Sequence, residues 1–169
     1  MPIQVLEAAN LFELRTKKAS YVFGVNENGG VQHLYWGEPV EAAECVDLLR
    51  IRHHSSFDAV VNREWEEYGA WGGTLYAEPC LKVKFKNGVR DLRLRYEGYE
   101  TGSGVRGDHL VVRLSDEYYR LRVELRYRVI EEYDLIERSW RCSMKRTFPS
   151  ESIKLWRRPG PPRPSRPSG

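Results

Sequence analysis

The chain has 169 residues, the span of one ordinary domain, and 41% hydrophobic with 12% aromatic content gives it the material for a buried core. No run of about 18 apolar residues is present to cross a membrane as a helix. The start MPIQVLEAANLFEL has neither the basic beginning nor the apolar stretch of a signal peptide, so the expectation is a soluble, cytoplasmic protein. The net charge is +3, but four of the 27 basic residues lie in the last thirteen, which hold no acid. The remaining 23 stand against 24 acidic residues. The body is nearly neutral and carries no nucleic-acid footprint. Cys45, Cys80 and Cys142 are widely spaced, with no C-x-x-C pair. They read as free thiols rather than a zinc or redox site.

Period-two alternation dominates the chain. LFELRT (11–16), SYVFGVN (20–26) and VQHLYW (31–36) read as three short strands, with Glu27-Asn28-Gly29-Gly30 turning between the last two. VDLLRIR (46–52) reads as either a strand or a helical turn. From 53 to 79 the alternation fails, and glycines break any helix; a loop this long is functional or structured by its own side chains. In LKVKFK (81–86), Leu81, Val83 and Phe85 share one face and three lysines the other. Asn87-Gly88 then predicts a type I′ hairpin with DLRLRY (91–96). HLVVRL (109–114) pairs across Ser115-Asp116-Glu117 with YYRLRVELRYRV (118–129), whose Leu121, Val123, Leu125, Tyr127 and Val129 face inward. LIERSWRC (135–142) follows the Glu131–Asp134 turn. Many short alternating strands predict an all-β antiparallel sandwich. The last thirteen residues hold five prolines, four arginines and two serines. They cannot bury a core, and predict a disordered or polyproline II tail.

Chemistry is harder to find. There is no G-x-S-x-G, no phosphate loop, no dinucleotide fingerprint and no H-E-x-x-H. His53-His54 lacks further ligands at metal spacing and reads as an exposed or capping pair. No metal or other cofactor is implied. Glu64, Glu66 and Glu67, like Glu131, Glu132 and Asp134, read as solvated acids rather than a hydrolytic pair. What remains is aromatic density: Trp36, Trp65, Tyr68, Trp71 and Tyr76 lie in the N-terminal half. In EWEEYGAWGGTLYAEP (64–79) the glycines allow sharp turns that display side chains.

The order of short motifs resembles the start of a microbial α-galactosidase of glycoside hydrolase family 36. The residues are FELRTKKASYVFGVNENGGVQHLYWG (12–37), SSFD (55–58), EYGAWGG (67–73), EPCLKV (78–83), DLRLRY (91–96) and YRLRVELRYRVIEEYDLIERS (119–139). They are similar in order and spacing to the family's HLYYG strand, EYPxYG loop and GLRVTLxYxVFEDYDAIxRS stretch. The resemblance implies an N-terminal β-supersandwich, followed in the family by a (β/α)8 barrel with two catalytic aspartates and a retaining mechanism on raffinose-type α-galactosides. It also implies a homo-oligomer in which one subunit's sandwich leans over another's active site.

No catalytic residue carries over to this sequence. Asp58 is the candidate sugar contact, because a carboxylate accepts two hydroxyl hydrogen bonds; Trp65, Tyr68 and Trp71 are candidates for the site rim. Gly69 stands where the family usually has Pro, and Ala77 where an arginine often follows. The expected organisation is a partial sandwich over 1–144 and an unrelated, disordered tail over 145–169, from a truncated or frameshifted gene. The expected role is non-catalytic: subunit contacts and an active-site rim. The alternative is a stand-alone carbohydrate-binding β-sandwich. A proline-rich adaptor on a β scaffold is a third reading.

Overall fold

Ten strands joined by tight turns and short 3-10 segments make up the fold among the described residues. The computed structural model describes residues 1–49, 66–71 and 78–144, and the backbone of Lys154–Trp156. The His53-His54 pair, most of the non-alternating stretch and the rest of the Pro/Arg tail lie outside them.

The first sheet is an antiparallel meander of β1 (Ile3–Leu6), β2 (Leu11–Arg15), β3 (Ser20–Val25) and β4 (Val31–Gly37). Its inner face carries Ile3, Phe12, Leu14, Phe23 and Val31. Its outer face carries Leu11 and Val22, covered by a 3-10 helix over Ala42–Leu49 through Cys45 and Leu49. VDLLRIR thus begins in a helical turn rather than a strand. Glu13 is wholly buried on this outer face and accepts from Arg15 Nε (2.6 Å), Ser20 Oγ (2.9 Å) and the Ala42 amide (3.2 Å). These three donors satisfy a carboxylate that would be costly to bury alone, and they tie the 3-10 helix to the sheet.

β5 (Lys82–Lys84) stands apart from both large sheets. The second large sheet is β6 (Leu94–Gly104), β7 (Gly107–Asp116), β8 (Leu121–Ile130) and β9 (Leu135–Met144), again antiparallel and in chain order. β8 is the inward row the alternation predicts, with Leu121, Val123, Leu125, Tyr127 and Val129 all buried. The two sheets face each other through one apolar cluster: Phe23 stacks on Phe12 (5.1 Å) within its own sheet and on Tyr127 (4.9 Å) across the gap. The all-β sandwich is therefore observed. β10 (Lys154–Trp156), inside the segment expected to lack regular structure, pairs with β5. Its Lys-Leu-Trp sequence precedes the proline run, so every residue still has an N–H to give.

The Asn87-Gly88 turn forms, but not as a type I′ hairpin. Only Gly88 is left-handed (φ 86°); Asn87 is not. The Gly88 amide donates to Phe85 O and the Phe85 amide to Val89 O, both at 2.9 Å, which is a three-residue hairpin loop. The strands then part company. The Leu92 amide donates to Trp71 O (2.9 Å) and the Arg93 amide to Asp116 Oδ1 (2.7 Å), drawing 92–93 toward the 66–71 segment and the β7–β8 turn.

Two β-bulges reset the alternation. In β4, Tyr35 opposes Val22 while His33 opposes Phe23, leaving Leu34 as the extra residue. In β6, Tyr96 opposes Leu114 and Gly98 opposes Arg113, leaving Glu97 extra. Residues three apart then share a face: His33 with Trp36, and Tyr96 with Tyr99. Both tyrosines pack on Phe12.

Candidate functional site

Where β3 and β4 meet β8 and β9, the sandwich opens into a cleft of about 540 Å³. Such a volume suits a small-molecule site. The β4 bulge turns both His33 and Trp36 toward it. Tyr21, Tyr127 and Ile136 form further walls, and Glu67 and Arg138 lie at its base.

Glu67 is the centre of this arrangement. Its side chain is 1% exposed. The Tyr21 hydroxyl donates to it at 2.7 Å and the Tyr127 hydroxyl at 2.6 Å. Arg138 Nη2 lies 3.2 Å from Oε1 and also donates to the Glu67 carbonyl oxygen. The Glu67 amide donates to Val31 O (2.9 Å). Two hydroxyls and a guanidinium thus satisfy a carboxylate that burial alone would make very costly. The arrangement ties β3, β4, β8 and β9 to the 66–71 segment. Burial first, and the Glu67 charge second, raise the phenol pKa values of Tyr21 and Tyr127. Arg138 loses solvation, which opposes its charge, but the Glu67 carboxylate together with Tyr127, Tyr21 and Cys80 outweighs this, and its pKa lies above the ordinary arginine value. Glu67 is therefore not one of the solvated acids that the EWEE run predicts. With its oxygens engaged by three side chains it is built as a structural tie rather than a proton shuttle.

Other polar groups at the cleft are less fully engaged. His33 Nδ1 lies 3.6 Å from Glu67 Oε2, too far for a hydrogen bond, and is buried without a hydrogen-bond partner among the described residues. Trp36 is 73% exposed, its ring held edge-on against Tyr21 at 5.7 Å. Asp134 accepts from the Lys18 amide (3.1 Å) and closes one end; its hydrogen bonds with Thr16 and that amide hold its carboxyl below the usual range. Among the described residues no cluster of His, Cys, Asp and Glu could hold a metal ion.

Of the four residues expected at a site, two are described. Asp58 and Trp65 lie outside the described residues. Tyr68 is buried in the core, its ring 5.7 Å from Trp140 and its hydroxyl without a hydrogen-bond partner among the described residues. Trp71 is half-buried, and its ring lies 5.8 Å from the Lys82 ammonium and 5.2 Å from the Arg90 guanidinium. Neither lines the cleft. The sequence does carry one signal for the cleft. In β9 the inward row is Ile136, Arg138, Trp140 and Cys142, and a charge on an apolar row demands a buried partner.

Comparison with known proteins agrees with this architecture. Residues 29–150 match the model of the glycosyl hydrolase family 36 N-terminal domain. The chain is 30% identical to α-galactosidase AgaA of Geobacillus stearothermophilus over 86% of its own length and 23% of that protein's. It is 29% identical to the bifunctional α-galactosidase/sucrose kinase AgaSK of Mediterraneibacter gnavus over 78% of this chain and 16% of that one. A solved AgaA variant in complex with raffinose superposes with a TM-score of 0.74 at 27% identity, over 87% of this chain and 23% of the other. The chain thus spans about a quarter or less of the length of these relatives, and the part it matches is their N-terminal sandwich. With that fold, and with the family model matched over most of its length, the chain belongs to glycosyl hydrolase family 36 as an N-terminal domain.

Proposed function

We propose that this chain serves as the accessory β-sandwich of an enzyme that hydrolyses terminal α-galactosides, and that it gives no catalytic group to the reaction. The family match over 29–150 carries this reading. Solved relatives hold raffinose and stachyose, so raffinose-type sugars are the substrates we assign to the complete enzyme. Within it the domain supplies subunit contacts in a homo-oligomer, and the segment bearing Asp58, Trp65, Tyr68 and Trp71 forms a rim of the active site.

The test is domain replacement. This chain is fused in place of the matching N-terminal region of the Geobacillus AgaA enzyme, and galactose release from raffinose is assayed. The expected result is hydrolysis by the fusion and none by the 169 residues alone. A folded, soluble fusion without activity would overturn the proposal, as would turnover by the isolated chain.

A further inference from the structure

We infer that the cleft beside Trp36 is a binding site for one pyranose ring of a neutral sugar, carried by the sandwich itself and separate from the rim at Trp71. The choice of galactoside as the sugar rests on the proposed function; the site does not.

The side chains define what fits. Trp36 offers a large aromatic face to solvent, and its edge contact with Tyr21 limits its rotation. An aromatic face stacks on the C–H face of a sugar ring. The β4 bulge places His33 on the same side as this platform. Both bonds from Arg138 to Glu67 leave from Nη2, so among the described residues Nε and Nη1 of a 41%-exposed guanidinium remain for a ligand. His33 Nδ1 is a further buried polar atom without a hydrogen-bond partner among the described residues.

The alternatives fit less well. An anion would meet Glu66, Glu67 and Asp134 against the single Arg138. A wholly apolar occupant would cover Arg138 and His33 without hydrogen-bonding them, the costly outcome for any desolvated polar group. A neutral ring with hydroxyls on its rim and carbon on its face satisfies both walls at once.

The 169-residue chain is titrated with methyl α-galactoside and with raffinose, followed by tryptophan fluorescence and calorimetry. The expected result is saturable binding that changes little with salt, since no net charge is paired. Trp36→Ala is expected to weaken it by about tenfold or more, and Trp36→Phe to restore most of the loss. Because Trp36 is largely exposed, both variants should keep the parent circular dichroism and melting temperature. Tyr118→Ala removes an aromatic 65% exposed at the β7–β8 turn and is expected to change nothing. Absence of saturation overturns the inference. So does binding that survives Trp36→Ala but is lost in Trp71→Ala, which would put the sugar on the rim and leave the proposed function standing. Failure of that function shows separately, in the raffinose assay of the fusion.

Discussion

Glu67 shows how little of a buried polar site is written locally. It is one of three glutamates in four residues, and nothing nearby separates it from Glu64 or Glu66. Its partners Tyr21, Tyr127 and Arg138 are 46, 60 and 71 positions away. Removing the carboxylate strands all three. Glu67→Ala should cost about 3 kcal/mol, the low end for a broken buried ion pair, because Arg138 is 41% exposed and can turn to water. Urea denaturation checks this through a lowered midpoint at unchanged slope. The tyrosines give a second test. Burial raises the pKa values of Tyr21, Tyr68 and Tyr127 above the ordinary 10.0. Below pH 10 the phenols are neutral in both states and their contribution is complete. Above it the unfolded chain ionises first, so stability falls as pH climbs toward the higher folded values. Absorbance of tyrosinate should therefore show Tyr21, Tyr68 and Tyr127 ionising late and together with unfolding.

Strands were legible because alternation is local. Every strand read from the pattern between 11 and 36, and between 109 and 142, is observed. What escaped was wherever spacing changes meaning. The bulges at Leu34 and Glu97 bring residues three apart onto one face, which a strict period of two forbids. The stretch GYETGSG inside β6 is glycine-rich and polar, so its strand is set by pairing with β7 rather than by propensity. Turns depend on their neighbours in the same way. Gly88 is left-handed with no atom within 4 Å of an added Cβ, so Gly88→Ala should cost about 1–2 kcal/mol from backbone strain alone. Gly107 is also at positive φ, and an added Cβ would sit 2.1 Å from Val129 O on the neighbouring strand. Gly107→Ala should cost about 3 kcal/mol or more, since a paired backbone cannot yield as a side chain can. Melting of the two variants side by side tests the ranking.

At the scale of the molecule, inward rows of leucine, valine and aromatic residues were enough to announce two facing sheets. They were not enough to place the cleft, which exists only where one sheet's bulge meets the other sheet's edge strand. The stack of Phe12, Phe23 and Tyr127 is the hinge of that meeting. Phe23→Ala should cost about 3–5 kcal/mol by opening a cavity between the sheets, read as a lowered melting temperature. The meanders themselves close by short turns between consecutive strands, whereas the Glu67 tie joins strands from both ends of the chain. Its contacts reward the chain only after long loops have closed, so they belong to the far side of the folding barrier. Loss of the carboxylate should accordingly leave the refolding rate nearly untouched and quicken unfolding by roughly a hundredfold, the kinetic equivalent of about 3 kcal/mol. Glu67 then governs how long the sandwich stays shut rather than how fast it assembles.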